Sequence, residues 1–235
     1  MSEESMKIVN FNCGCMNQFD EKSGLMFCAL KCPFHVQWSQ DHPQGDTADY
    51  FKDIGYLDHR GIPQNKRLID ELKEALSAMH APIPLGQTVL ELGCGLGAYV
   101  PFFLKYGNKY VAVERSHFSA EWTRNNYDVT VYEKDFEEFE TPSICYTVIF
   151  GAHIFEHLKD APAALKKVYR LLNGAGGMLY VIVPDDGDPT NPDHLWFFTE
   201  ETLRRLLEKI GFKNICLATF KRVPQENFIY CVAYR

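Results

Sequence analysis

Apolar and polar positions along this chain alternate between short buried runs and longer helical repeats. Leucines and a methionine recur every three or four residues over 63–79, which predicts a helix that Ala81-Pro-Ile-Pro84 ends. Beyond it, short apolar runs typical of buried strands alternate with stretches of helical period. The predicted strands lie at residues 89–92, 109–114, 129–132, 145–150, 177–183, 214–220 and 227–233. The predicted helices between them lie at residues 99–106, 119–126, 161–172 and 199–210.

This order of elements is typical of an α/β protein. Strands that alternate with helices imply a mainly parallel seven-stranded sheet covered on both faces. We expect residues 86–235 to form this domain, residues 46–85 to form a lid or connector with the first helix, and residues 1–45 to form a small cysteine-rich segment. In such sheets, ligands bind beyond the carboxyl ends of the strands, so residues at these ends are the candidate site.

The turn after the first of these strands is rich in glycine. Gly93, Gly95 and Gly97 alternate with other residues, and glycine allows both positive φ and close approach of a ligand to the backbone. The helix that follows would direct its N-terminal amides at that ligand. Glu91 stands two residues before the first glycine, where it suits a cationic ligand better than a pyrophosphate. Residues 93–98 also satisfy the GxGxxG/A fingerprint, so a dinucleotide is the rival ligand.

Composition limits the partners that this chain is expected to have. Of its 235 residues 46% are hydrophobic and 23% charged, as in an ordinary globular protein, and the net charge is -7. Without a Lys/Arg-rich run, binding to nucleic acid is disfavoured. No stretch approaches the roughly 18 to 20 apolar residues of a membrane span. The first ten residues lack a signal-peptide pattern, so we expect a cytoplasmic location. The pattern predicts no particular oligomeric state.

Four of the eight cysteines are crowded near the N-terminus, at Cys13, Cys15, Cys28 and Cys32. In a chain without a secretory signal, such a cluster favours metal over disulfides, and four thiolates could form a tetrahedral structural zinc site. The C-x-C and C-x3-C spacings differ from the usual C-x2-C pairs. An iron–sulfur cluster and unliganded or redox-active thiols therefore stay open, and His35 could replace one cysteine.

Further motifs follow the glycine turn in a fixed order. They are Glu91-Leu-Gly-Cys-Gly-Leu-Gly97, Glu114 after the second strand, Asp135-Phe136 after the third, Gly151-Ala-His-Ile-Phe-Glu-His-Leu158 after the fourth, Gly176 to Pro184, and His194 to Leu203 leading to Gly211-Phe212. In this order they resemble class I S-adenosylmethionine-dependent methyltransferases, specifically the small-molecule group related to ubiquinone-biosynthesis and sugar methyltransferases. The resemblance covers about residues 50–235 and implies a Rossmann-like, doubly wound sheet with an antiparallel last strand.

The resemblance also implies which residues contact the cofactor, S-adenosyl-L-methionine. Glu114 should accept hydrogen bonds from both ribose hydroxyls, and Arg115 should flank the adenine. Asp135 should accept a hydrogen bond from the adenine amino group, and the backbone amide of Phe136 should donate one. Tyr56 belongs to a segment that folds over the cofactor in relatives; alternatively, it packs the first helix onto the sheet. The other implied cofactor contacts are Glu91, Gly93, Cys94, Gly95, Gly97, Gly151 and Ala152.

The methyl group of a sulfonium is already activated, so transfer depends mainly on positioning, and a base helps when the acceptor is a hydroxyl or an acidic carbon. His153 and His194 are the two histidines that we expect to be catalytic. Glu156 and His157 are interpreted as a structural pair.

The aspartates of residues 185–193 (Asp185, Asp186, Asp188 and Asp193) offer oxygen ligands for a divalent metal, although such residues are commonly turn formers.

The predicted function is therefore methyl transfer from S-adenosyl-L-methionine to an oxygen, nitrogen or carbon centre of a small molecule, by in-line displacement. The alternative is a cofactor-binding or scaffold protein that retains the fold and docks a partner through its cysteine segment. An N-P-P-Y-type motif for methylation of amide nitrogens is absent from the sequence. Neither the acceptor nor its reacting atom follows from these residues.

Overall fold

The computed structural model describes residues 17–20, 25–28, 65–141, 146–185, 194–223 and 226–235. The helices in these ranges are α1 (Asn65–Ala78), α2 (Val100–Lys105), α3 (His117–Tyr127), a one-turn 3-10 helix (Phe155–His157), α4 (Ala161–Leu171) and α5 (Glu200–Ile210). The strands are β1 (Asn17–Asp20), β2 (Leu25–Cys28), β3 (Thr88–Leu92), β4 (Lys109–Glu114), β5 (Thr130–Glu133), β6 (Val148–Ala152), β7 (Met178–Pro184), β8 (Trp196–Phe197), β9 (Lys213–Val223) and β10 (Glu226–Tyr234).

The central sheet has seven strands in the order β5-β4-β3-β6-β7-β10-β9. The pairs from β5 to β7 are parallel, whereas β10 runs antiparallel to both β7 and β9. The predicted Rossmann-like sheet with an antiparallel last strand is thereby confirmed. The chain leaves β3 towards β5 and then returns to β6 on the other side. The carboxyl ends of β3 and β6 therefore form the switch point where ligands bind in such sheets.

Buried side chains form one apolar cluster on each face of this sheet. Leu90 contributes to the cluster that includes helices α4 and α5, whereas its neighbour Val89 contributes to the cluster that includes helices α1 and α2. Successive residues of a strand point to opposite faces, which explains why β3 carries buried apolar residues on both of its faces. In α1, Leu68, Leu72 and Leu76 are buried at helical spacing. Covered on both faces, the sheet leaves its strand ends available for a site.

The predicted elements of the central domain are confirmed, and their boundaries differ from the predicted ones by at most three residues. Helix α3 begins earlier than predicted, at His117, because the Ser116 side chain caps it by accepting a hydrogen bond from the Ser119 amide. Helix α5 begins after a capping box at Thr199 and ends at Gly211, where φ is 119°. None of the described helices is long and apolar enough to cross a membrane.

A second, antiparallel sheet has the strand order β1-β2-β8. The two-residue strand β8 was not predicted, because two residues are too few to show a period. It pairs Phe197 with Met26 and Trp196 with Phe27. This pairing matters for the site because the segment that carries His194 leads directly into β8.

Candidate functional site

The glycine turn between β3 and α2 requires glycine for steric reasons. Gly93, Gly95 and Gly97 have φ values of 65°, 50° and 69°, in the left-handed region that side chains disfavour. A Cβ atom on Gly97 would lie only 2.7 Å from the Tyr127 ring and 3.0 Å from the Thr123 methyl group. The turn is therefore closely covered on one side by helix α3.

Hydrogen bonds fix this turn to its surroundings. The Gly93 amide donates to the Val113 carbonyl at 2.8 Å, and the Thr123 hydroxyl donates to the Gly95 carbonyl at 2.8 Å. Burial, with the charges of Glu114 and Glu91, raises the pKa of the Cys94 thiol well above its usual range. That thiol is 4% exposed. Cys94 therefore stays protonated and offers the site its backbone.

Glu114, the last residue of β4, faces the glycine turn. Its Oε2 accepts a hydrogen bond from the Gly95 amide at 2.9 Å, and its Oε1 accepts one from the Ser116 amide at 2.8 Å. Burial raises the pKa of this carboxyl above its usual value, although the two amides oppose the shift. A carboxylate oxygen can accept two hydrogen bonds, so each keeps capacity for a ligand hydroxyl. The following residue, Arg115, is exposed.

Glu91 lies buried behind the turn, with only 2% of its surface exposed. The Tyr110 hydroxyl donates a hydrogen bond to its Oε2 at 2.5 Å. Burial raises the pKa of Glu91 to about 8; the bond from Tyr110 opposes this shift and the charge of Glu114 adds to it. In the described part of the chain, no lysine, arginine or histidine forms an ion pair with Glu91. A cationic ligand in front of the turn would favour its ionised form.

Asp135 and Phe136 follow the end of β5, on the same edge of the sheet. The Asp135 Oδ1 accepts a hydrogen bond from the Glu137 amide at 2.8 Å, so the side chain is held by its own turn. Phe136 is buried, and the Lys167 ammonium donates to its carbonyl at 2.8 Å while lying 5.0 Å from its ring centroid. Both residues are thus held in place from within the protein.

Gly151 and Ala152 end strand β6, directly beside the glycine turn. Gly151 is the register partner of Leu92, the residue before Gly93. A Cβ atom on Gly151 would lie 2.8 Å from the Phe155 ring and 3.1 Å from a methyl carbon of Ile154. The same Ile154 side chain would meet a Cβ on Gly93 at 3.0 Å. Ile154 therefore joins the two strand ends, a role that its sequence context did not indicate.

His153 turns the chain away from the sheet. Its φ of 55° is in the left-handed region, which is uncommon for a residue other than glycine. Its amide donates to the Ile182 carbonyl at 2.9 Å, and its ring packs edge-on against Phe228 with a centroid separation of 4.9 Å. Its Nδ1 lies 3.4 Å from Glu156 Oε1, and its buried Nε2 has no hydrogen-bond partner among the described residues. Nδ1 of this imidazole thus faces a carboxylate, while Nε2 has no partner among the described residues.

Glu156 and two further histidines extend this cluster. Glu156 is 1% exposed, and His157 Nε2 lies 3.9 Å from its Oε1. Burial alone would raise the pKa of Glu156, but His153, His157 and His194 together lower it below its usual value. The rings of His157 and His194 are 5.0 Å apart. The two predicted catalytic histidines, His153 and His194, therefore both lie near one buried carboxylate.

Several predicted site residues are outside the described part of the chain. They are Tyr56, Cys13, Cys15, Cys32, His35, Asp186, Asp188 and Asp193. The backbone of Cys28 lies in β2, but the position of its thiol is not among the described features. Asp185 is half-buried beyond β7, and burial, with the charge of Glu200, raises its pKa. Neither the predicted cysteine zinc site nor the aspartate alternative is tested by these positions.

Comparison with known proteins adds to this geometry. A family model described as a methyltransferase domain matches residues 58–217. No curated protein sequence matches the chain. Among solved structures, phosphoethanolamine N-methyltransferase 2 of Haemonchus contortus, in complex with phosphomonomethylethanolamine and S-adenosylhomocysteine, is similar with a TM-score of 0.65 and 15% identity over 86% of this chain and 60% of that chain.

Two further solved structures are similar to this chain over almost their whole length. A SAM-dependent methyltransferase of Archaeoglobus fulgidus has a TM-score of 0.61 and 15% identity over 74% of this chain and 95% of its own. One of Aquifex aeolicus has a TM-score of 0.58 and 19% identity over 79% and 98%. At these identities the likeness concerns the fold.

Proposed function

Because the chain belongs to the methyltransferase-domain family and is a class I S-adenosylmethionine-dependent methyltransferase, we propose that it methylates a small-molecule acceptor. The observation that carries this proposal is a convergence at one edge of the sheet. The glycine turn, the Glu114 carboxylate and the His153–Glu156 pair all lie at the carboxyl ends of neighbouring parallel strands. The similar Haemonchus contortus enzyme binds phosphomonomethylethanolamine, a small molecule, which supports an acceptor of this size.

The residues present fit S-adenosyl-L-methionine. Gly93 and Gly95 are half-buried and have positive φ, so this turn brings main chain to the strand end without side chains, and Glu114 keeps one acceptor position on each oxygen for ribose hydroxyls. Glu91 is a buried carboxyl without a cationic partner among the described residues, which suits a ligand that carries both a sulfonium and an ammonium group. A pyrophosphate would instead bring negative charge towards Glu91 and Glu114, so the dinucleotide alternative is disfavoured.

We assign the remaining contacts by their place along the sheet edge. Asp135 and Phe136, beyond β5, would meet the adenine, and Arg115 would flank it. Gly151 and Ala152, beside the turn, would lie along the methionine part. These roles depend on strand-end positions rather than on any contact with a bound ligand.

When bound, S-adenosyl-L-methionine supplies a methyl group already activated on its sulfonium. The protein contributes position and proton transfer. For a hydroxyl acceptor, the proton passes to Nε2 of His153, the nitrogen that has no partner among the described residues. Glu156, 3.4 Å from Nδ1, orients the ring and stabilises the imidazolium that forms. We assign His194, which lies near Glu156 and His157, to the acceptor as a second candidate base.

The size of the acceptor can be tested with methyl-labelled S-adenosyl-L-methionine. The protein is incubated with a cell extract, and the products are separated by ultrafiltration into small molecules and macromolecules. Label in the small-molecule fraction supports the proposal, whereas label confined to protein or RNA refutes it. Glu114→Ala should abolish labelling, and Glu133→Ala, which changes a partly exposed carboxylate at the end of the neighbouring strand, should not.

The N-terminal cysteines extend the proposal to a zinc site within residues 1–45. Purified protein should contain zinc, and Cys13→Ser together with Cys15→Ser should remove it. Protein prepared without chelators that lacks zinc would exclude this site.

A further inference from the structure

Three side chains beside His153 form a cluster of potential metal ligands, and methyl transfer itself requires no metal ion at this place. Glu156 and His157 belong to the one-turn helix after β6, and His194 precedes β8. One potential ligand atom from each lies within 4.8 Å of the other two. We propose that Glu156, His157 and His194, brought together by β6 and β8, bind one divalent transition-metal ion of the zinc or cobalt type.

The buried carboxylate is the first argument for an ion at this place. Glu156 is 1% exposed, and neither of its oxygens accepts a hydrogen bond from a described residue. Its nearest ionisable neighbours are His153 Nδ1 at 3.4 Å and His157 Nε2 at 3.9 Å, both longer than a charge-assisted hydrogen bond. A carboxylate that is buried without hydrogen bonds is costly unless it is paired or coordinates a metal. A cation between Glu156 and the two histidines would remove that cost.

Two hydrogen bonds place the third ligand, His194, beside the other two. The Leu195 amide donates to the Glu156 carbonyl at 2.7 Å, and the Trp196 indole donates to the Leu158 carbonyl at 2.7 Å. These two bonds tie the segment after His194 to the helix that carries the other two ligands. A site on rigid, mutually bonded segments is pre-organised for its ligand.

The ligand types indicate which metals fit. Two imidazoles and one carboxylate suit zinc, cobalt or iron, whereas magnesium and calcium prefer oxygen ligands only. Three protein ligands also leave a coordination position open, as in catalytic rather than structural zinc sites. Zinc–ligand distances are about 2.0–2.2 Å, so ligand atoms that lie within 4.8 Å of one another have to approach further to share one ion. His157 and His194 are half-buried, and rotation of their imidazoles is the movement that would bring the ligand atoms together. Glu156 has two oxygens, so one can bind the ion while the other faces His153.

Protonated histidines around Glu156, without a metal ion, are the competing explanation for this buried carboxylate. Metal titration distinguishes a metal site from such a charged network. Full-length protein, stripped of metal with chelator and dialysed, is titrated with cobalt(II) and monitored by visible absorption. The proposal predicts about one ion per chain at this site, with ligand-field bands that persist without thiolate-to-metal charge transfer when the N-terminal cysteines are replaced. His194→Ala and Glu156→Gln should each weaken this binding by at least about tenfold.

Two control variants make the result specific. The exposed His80, after α1, has a φ of 52° that asparagine tolerates, so His80→Asn should bind cobalt as the parent does. Cys13→Ser with Cys28→Ser removes thiolates that could bind the ion elsewhere, and should leave the ligand-field bands in place. Circular dichroism of every variant checks folding, and His194→Ala, a change at a half-buried position, decides the test if Glu156→Gln does not fold.

The proposal is overturned if cobalt produces no ligand-field bands. It is also overturned if His194→Ala binds cobalt as tightly as the parent, or if all binding disappears with the cysteines. This readout measures binding alone and does not depend on methyl transfer. Failure of the metal site and failure of the proposed function are therefore distinguishable.

Discussion

The cofactor-free protein should lose stability as the pH rises, and replacing Glu91 by glutamine should remove a large part of that loss. Burial raises the pKa of Glu91 from 4.5 to about 8, so the folded state binds this proton more tightly than the unfolded state does. The stability that this proton contributes is fully present below the unfolded pKa and is lost as pH rises through the folded pKa. Glutamine is uncharged at every pH and can still accept the hydrogen bond from Tyr110.

The size of this effect follows from the two pKa values. Between about pH 5 and about pH 9, ionisation of this one group lowers the free energy of unfolding by about 4 kcal/mol, at about 1.36 kcal/mol for each pKa unit. For a domain of this size, that change corresponds to a shift of roughly 8 to 16 °C in the unfolding midpoint. The other titrating groups are common to both proteins, so they cancel in the difference between variant and parent.

The measurement is thermal unfolding of Glu91→Gln and of the parent, followed by circular dichroism without cofactor at about pH 5, 7 and 9. The midpoint of the variant relative to the parent should rise steadily with pH. Glu133→Gln, at a partly exposed strand end, is the control and should show no such trend. A difference between Glu91→Gln and the parent that is equal at both ends of this range would refute the assignment of a raised pKa to Glu91.

Two further substitutions test the site. Gly97→Ala should destabilise the protein more than Gly107→Ala, because both glycines have a φ of 69° but only Gly97 would place its Cβ against Tyr127; equal losses of unfolding free energy would show that backbone strain alone matters. His153→Asn should keep the affinity for S-adenosylhomocysteine, since asparagine tolerates positive φ, while turnover of a hydroxyl acceptor falls by about 10² to 10⁴-fold. Unchanged turnover would remove His153 from the mechanism.

The architecture, and the residues at the strand ends that form the candidate site, were predictable because the sequence patterns that indicate them are local. Buried strands alternate with helical repeats, and Gly93, Gly95 and Gly97 stand together after one of these strands. Glu114 is recognisable as a carboxylate at the end of β4. Such features need only the positions of neighbours in the chain, together with the rule that parallel strands bring their carboxyl ends to one edge.

The parts that were not predicted depend on contacts between distant residues. Tyr110 reaches Glu91 only because β3 and β4 pair in one register. His194 lies close to Glu156 because of the two-residue strand β8 and the hydrogen bonds from Leu195 and Trp196. So short a strand has no periodicity that the sequence could show. The grouping of Glu156 and His157 with His194 was not predicted for the same reason, since His194 lies 37 positions beyond His157 in the sequence.

Calorimetric titration with S-adenosylhomocysteine measures whether the edge formed by the glycine turn and Glu114 binds the cofactor. Ribose hydrogen bonds to an ionised acceptor contribute about 1.5–3 kcal/mol each, and about 1.4 kcal/mol is a tenfold change in affinity. We expect S-adenosylhomocysteine to bind saturably to the parent, at least tenfold more weakly to Glu114→Ala, and with unchanged affinity to Glu133→Ala. No saturable binding to the parent, or equal affinity for Glu114→Ala, would contradict cofactor binding at this edge.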